Sequence, residues 1–279
     1  MISNIRFLQA GHTRQKKSWI LPDSPWNETI TFPSSVVVIE HPQHGIILFD
    51  TGYSLRFHEV TRRLPEKLYA LATPVTVQPE DTAIHQLREL GISVKDVKNV
   101  ILSHFHADHV AGAGDFTHAT YLGSRVEYEW FKKMNRFQQV RHAFLSALLP
   151  QDFEHRFKGL ALTSIPIPEL GEGWFGEDLL GDESLLAVPL PGHTCGQTGL
   201  FVRMQNGDRY FLIADAAWSR ESFLKNIPPR KLLTHFLMDA PLYQDTLTRL
   251  HHLSQNPLAS QVKIIPCHCH ESLKSLHEI

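Results

Sequence analysis

Leu102 to Gly112 reads LSHFHADHVAG, and six consecutive positions within it hold His104, His106, Asp108 and His109. Packing alone gives no reason to crowd these polar side chains behind an apolar run. The run itself, Asn99 to Ser103, predicts a short strand that delivers the cluster at its C-terminal end. On extended backbone, side chains two apart face the same way, so His104 and His106 can reach one ion. Asp108 and His109 follow where VAGAG predicts a turn into a helix, and they are expected to point elsewhere, toward a second ion. Neutral imidazole and carboxylate suit Zn²⁺, and also Fe or Mn.

The rest of the chain must support or refute that reading. Its 279 residues are 42% hydrophobic and 20% charged, ordinary values for a globular protein able to bury a sizeable core. With 27 basic and 29 acidic residues the formal net charge is −2, so no strong field attracts a nucleic acid backbone or an anionic membrane. No segment approaches the ~20 apolar residues of a membrane span. The N-terminal stretch lacks a signal-peptide core, and cytoplasm is the expected location. Cys195, Cys267 and Cys269 are an odd number without framework spacing, which argues against structural disulfides. Most of the 18 histidines, His12, His41 and His251 among them, sit without a partner pattern and read as surface or satisfied core residues.

Strands and helices interleave along the chain. Ser34 to Glu40 and Ile46 to Asp50 predict a hairpin ending in Asp50-Thr51-Gly52. Asp81 to Leu90 has helical spacing with Gly91 as a stop. Val126 to Phe157 reads as mostly helical until Pro150 breaks it. Its apolar stripe suits core, one wall of a substrate cleft, or a homodimer surface. Glu169 to Asp182 reads as a loop. Leu185 to Leu190 predicts a strand ending at Pro191-Gly192-His193, and a hairpin turns at Asn206-Gly207 and ends at Asp215. Lys231 to Leu253 predicts helix with a break near Pro241. Lys263 to His268 is the last predicted strand, before a short terminal helix.

Metal-binding residue types therefore stand at separate strand ends. One ion can take His104, His106 and His193, and another Asp108, His109 and His268. Asp215 can bridge them through its two oxygens, with water between ions ~3.5–4 Å apart. Structural zinc sites favour closed, cysteine-rich tetrahedra, whereas this set of nitrogen and oxygen donors leaves coordination open for catalysis. Cys267 and Cys269 share a face opposite His268 if the strand continues, and read as buried small residues. His270 rivals His268 for the last ligand position; proximity to the strand end favours His268.

Asp50-Thr51-Gly52, the His104 to His109 motif, Pro191-Gly192-His193-Thr194, Asp215 and Pro266-x-His268 together resemble the metallo-β-lactamase superfamily, in the family's order. The resemblance implies an α/β fold, the four-layer αβ/βα sandwich of two mixed β-sheets with helices on the outer faces. It implies a single domain over residues 1–279 with a helical insertion around 124–158. It casts Asp50 as the carboxylate that steadies a ligand histidine. Aspartate at 215 is unlike the cysteine of common class B β-lactamases. It is similar to the lactonase, glyoxalase II and RNase Z branches, and the chain looks most like the N-acyl homoserine lactone lactonase branch. Two stretches depart from that branch: Trp218 stands where it usually has tyrosine, and Cys195 and Gln197 stand where it usually has proline and a second histidine.

The expected activity is hydrolysis of a small ester or lactone, resembling an acyl homoserine lactone, by a metal-bound hydroxide. Two divalent ions, Zn²⁺ foremost with Fe or Mn as alternatives, would supply the nucleophile and a Lewis acid. Asp108 would serve as general acid toward the leaving alkoxide, and Trp218 would shape the substrate pocket. The competing readings on the same fold are an RNase Z-like phosphodiesterase, a glyoxalase II-like thioesterase and a non-catalytic ligand sensor. No basic, aromatic-interleaved strip suited to RNA is visible, so no nucleic acid partner is expected.

Overall fold

Val36 to Ile39 and Ile47 to Phe49 are apolar and buried, and they pair antiparallel with Val37 opposite Phe49. Continuous apolar runs of this kind belong to strands covered on both faces. The structure is a computed structural model that describes residues 1–160 and 164–269. His270 and the expected terminal helix lie outside the described residues. The chain divides into two compact units, one of Ile5–Arg14 and Thr31–Gly159, the other of Met1–Asn4, Gln15–Ile30 and Leu160–Ile279.

The first of these units is built on a seven-stranded mixed sheet. Its strands are β1 (Asn4–Lys16), β2 (Thr29–His41), β3 (Gly45–Phe49), β4 (Val75–Thr76), β5 (Val97–Ile101), β6 (Thr120–Gly123) and β7 (Phe157–Gly159), in the order β4-β1-β2-β3-β5-β6-β7. From β3 onward the pairing is parallel, which aligns the C-terminal ends of β3 and β5. That alignment places Asp50 and the residues after Ile101 side by side, and the Asp50 N–H donates to the Ile101 carbonyl at 2.8 Å. Open sheets commonly carry their functional groups at such ends.

The stretch expected to be mostly helical is broken more often than its apolar stripe suggested. Helices Arg125–Lys132 and Arg136–Arg141 are separate, followed by a 3₁₀ turn at Ser146–Leu148 and a single helical turn at Phe153–Arg156. Asn135 restarts the chain with a capping box, exchanging hydrogen bonds with Gln138. These short pieces surround Phe105 with Tyr128, Phe131, Phe144, Phe153 and Phe157, at ring distances of 5.6–6.3 Å.

The other unit holds a six-stranded sheet of β8 (Ile165–Pro166), β9 (Phe175–Asp178), β10 (Leu185–Pro189), β11 (Thr198–Arg203), β12 (Arg209–Ala214) and β13 (Val262–Pro266), in reverse chain order from β13 to β8. Only β12 and β13 run parallel, so their C-terminal ends also meet. The expected loop over 169–182 contains β9. Its end is organised by the Asp178 carboxylate, which accepts from the N–H groups of Leu180, Gly181 and Glu183. Helices Lys231–Leu237 and Ala240–Gln255 are separated at Met238-Asp239, as Pro241 predicted. Asp239 caps the second helix. Among the described residues no helix is long and apolar enough to cross a membrane.

In the first unit, burial pushes the Asp115 carboxyl up to about 6, despite the nearby Arg56 guanidinium. A raised acid binds its proton more tightly in the folded chain, so stability is full below the unfolded value and falls as pH rises toward 6. Asp115→Asn is expected to gain on the order of 2 kcal/mol at pH 7 and little at pH 4. Urea denaturation of both proteins at the two pH values checks this, and an equal effect at both would contradict it.

Candidate metal centre

The backbone between β5 and the short helix Ala107–Val110 alternates sides. Phe105 is buried in the aromatic cage, and its N–H donates to the buried Glu127 carboxylate at 3.1 Å. His104 and His106 take the opposite direction, with ring centroids 4.5 Å apart. The same-face spacing predicted from the sequence is thus realised, and the aromatic anchor holds it. His106 is the N-cap of the helix, and Asp108 and His109 are its second and third residues. His109 turns back so that its ring lies 4.0 Å from that of His104. Asp108 keeps the most solvent contact of this set, with its Oδ2 3.6 Å from His109 Nε2.

Asp50-Thr51-Gly52 grips this helix. Thr51 N–H and Oγ1 both donate to the His109 carbonyl at 2.8 Å. Gly52 has φ of 66°, and a Cβ there would stand 2.3 Å from that of Ala10, so only glycine fits the close approach. The buried Asp50 carboxylate accepts from Ser103 N–H (2.8 Å) and Ser103 Oγ–H (2.8 Å), and faces His109 Nδ1 at 2.7 Å. An imidazole that donates from Nδ1 presents its lone pair at Nε2. With Nδ1 turned to Asp50, His109 could offer Nε2 to a metal. Ser103, which no sequence motif singles out, also lies 3.0 Å from His104 Nδ1 and 3.2 Å from His109 Nδ1.

The second donor set belongs to the other unit. Gly192, with φ of 130°, lets the turn after β10 lie against Tyr243, whose backbone N an added Cβ would approach to 2.4 Å. That contact seats His193. Asp215 follows β12, where the register shifts and Ala214 takes a φ of 45°. Buried Gln197 donates to the Ile213 carbonyl at 3.3 Å, so the residue that departs from the lactonase histidine braces the strand carrying Asp215.

The Asp215 oxygens are divided between two histidines. Oδ2 lies 3.1 Å from His193 Nε2, and Oδ1 lies 3.2 Å from His268 Nε2. Trp218 Nε1–H donates to Oδ2 at 2.8 Å, and Cys267 Sγ approaches Oδ1 at 2.7 Å. The Tyr243 hydroxyl is fully buried, and burial, then the negative charge of Asp215 and Cys267, pushes its ionisation upward.

These donors fit a metal. Asp215 is a buried carboxylate set among imidazoles, and a buried anion is costly unless a cation or strong donors offset it. Imidazole nitrogen and carboxylate oxygen are the ligand types of Zn²⁺.

The chain belongs to the metallo-β-lactamase superfamily, whose family model matches residues 29–258. It is a metallo-hydrolase of that family, and curated N-acyl homoserine lactonases are among the proteins it is similar to. It is 29% identical over 222 residues to the N-acyl homoserine lactonase AttM of Rhizobium radiobacter, covering 80% of this chain and 79% of the relative. The protein of the same name from Azorhizobium caulinodans is 25% identical over the same shares. A solved N-acyl homoserine lactone hydrolase, with its product N-hexanoyl-L-homoserine at the catalytic metal centre, shares the fold. Its TM-score is 0.74 at 20% identity, covering 99% of this chain and 96% of that one. The two mixed sheets and their helices are those of the αβ/βα fold that the sequence motifs implied.

Replacing Asp50 with alanine removes the carboxylate that faces His109 Nδ1 and accepts from the Ser103 N–H and Oγ–H. Metal affinity is expected to fall ~10–100-fold, as for other carboxylates behind a ligand histidine. Competition against a chromogenic chelator measures it, and an unchanged affinity would remove Asp50 from this role.

Proposed function

We propose that this protein is a dinuclear metal-dependent hydrolase that opens a small lactone or ester, the acyl homoserine lactones being the first class to test. The observation that carries the reading is the division of the Asp215 carboxylate, one oxygen toward His193 and the other toward His268. A carboxylate so divided suits a bridge between ions. His104, His106 and His193 would hold one ion, and Asp108, His109 and His268 the other. The names of the relatives support the substrate class. The family model runs across both compact units, which supports one functional domain.

A zinc ion held by these residues would supply Lewis acidity for a carbonyl oxygen and would bring the pKa of water to ~7. The chain's own residues do the rest. Asp50 keeps His109 in its ligating tautomer. Trp218 and Gln197 hold Asp215 and its strand in place. Asp108, the most accessible carboxylate of the set, would take the proton released by the attacking water and pass it to the leaving alkoxide oxygen as the ring opens. The Trp218 N–H is engaged by Asp215, so it is not available to hold a lactone carbonyl. Three cysteines without a disulfide suit a reducing compartment, and the proposed location is the cytoplasm.

A hydrolysis screen of lactones with varied ring size and acyl length tests this reading. Turnover of at least one lactone by the zinc-loaded protein is expected; activity confined to phosphodiesters or thioesters would contradict it. Asp108→Asn is expected to keep much of the metal yet lose ~10²–10⁴-fold in hydrolysis. Full activity in that variant would take Asp108 out of the mechanism.

A further inference from the structure

The last strand was expected to run through His268, with Cys267 turned to the opposite face. Instead β13 ends at Pro266, and Cys267 and His268 lie in the turn beyond it. Outside a strand, neighbouring side chains are not forced to alternate. Both reach the same carboxylate oxygen: Cys267 Sγ is 2.7 Å and His268 Nε2 3.2 Å from Asp215 Oδ1. All three side chains are buried, and their donor atoms lie within 4.8 Å of one another. Neither Cys195 nor Cys269 falls in such a group among the described residues.

A small residue chosen only for packing has no need to bring its sulfur onto a carboxylate. Two electron-rich atoms this close require something positive near them, either a thiol proton or a metal ion. The thiol is a weak donor. A sulfur, an oxygen and an imidazole nitrogen together form a borderline-soft donor set that suits Zn²⁺ or Co²⁺ and is poorly matched to Mn²⁺.

The geometry points to Cys267 as a sulfur ligand of the ion held by Asp215 and His268, an addition to the nitrogen and oxygen set. This inference rests on the proposed metal-binding role of those two residues. On ligation the S–H bond breaks, the sulfur–metal bond forms, and the proton leaves to solvent. The thiolate adds negative charge at that ion and biases the centre toward zinc and cobalt over manganese.

The test is the absorption spectrum of the full-length protein loaded with Co²⁺. A thiolate-to-cobalt charge-transfer band is expected in the near ultraviolet. It is lost in Cys267→Ser, where the visible ligand-field bands show cobalt still bound, and it is kept in Cys195→Ser and Cys269→Ser. Should Cys267→Ser not fold, X-ray absorption of zinc-loaded Cys269→Ser protein gives the same answer. It should show a sulfur scatterer at ~2.3 Å beside nitrogen and oxygen at ~2.0–2.2 Å. Absence of the band with only nitrogen and oxygen scatterers overturns the sulfur ligand and leaves the hydrolase reading standing. A band that survives Cys267→Ser does the same. A protein that takes up neither cobalt nor zinc overturns both.

Discussion

The Asp50 carboxylate is the interaction on which the histidine cluster depends. It is buried at the end of β3, in a left-handed backbone conformation with φ of 62°. Aspartate tolerates that conformation better than most residues. Its charge is sustained there by Ser103 N–H, Ser103 Oγ–H and the His109 ring. Stripped of those donors it would be a costly buried anion. The same contacts that stabilise the carboxylate therefore lock the loop after β5 and select the imidazole tautomer. Fold stability and the placing of the His109 ring are one set of hydrogen bonds.

Asp215 is its counterpart in the other sheet. It also sits at a strand end with an unusual backbone, here in the strand's last residue: Ala214 has φ of 45° beside a register shift. Such a conformation costs on the order of 1 kcal/mol or more and persists where packing enforces it. Here the enforcing contacts are Gln197 on Ile213 and the Cys267 N–H facing the Ala214 carbonyl at 3.4 Å. Parallel pairing is what makes both arrangements available. β3 with β5, and β12 with β13, each bring two strand ends together, so residues distant in sequence present side chains to one another.

Much of this was legible in the chain itself. Strand ends show as apolar runs that stop at polar residues, and the His104 to His109 spacing encodes direction through a period of two. What stayed hidden depends on tertiary contacts. Ser103 is an unremarked serine until the sheet places Asp50 beside it. The indole N–H of Trp218 finds Asp215 only once both leave their strand. Cys267 is buried as expected, but β13 stops two residues short of the predicted strand end, and a turn obeys no alternation, so its approach to Asp215 is not legible in the sequence. The broken helical region was readable in part: Asn135 and Gln138 form a capping box whose spacing was present in the sequence. β1 opens with no clean alternation and was not anticipated, because its burial comes from the neighbouring strands.

The most direct measurement is the metal content of purified full-length protein, taken beside its lactone hydrolysis before and after exhaustive chelation and again after zinc is returned. The assignment of seven ligand residues to a shared dinuclear centre predicts about two ions per chain, with activity that disappears and returns with them. A protein that carries no transition metal and cannot be loaded with any, or one that hydrolyses lactones undiminished when stripped, would contradict it.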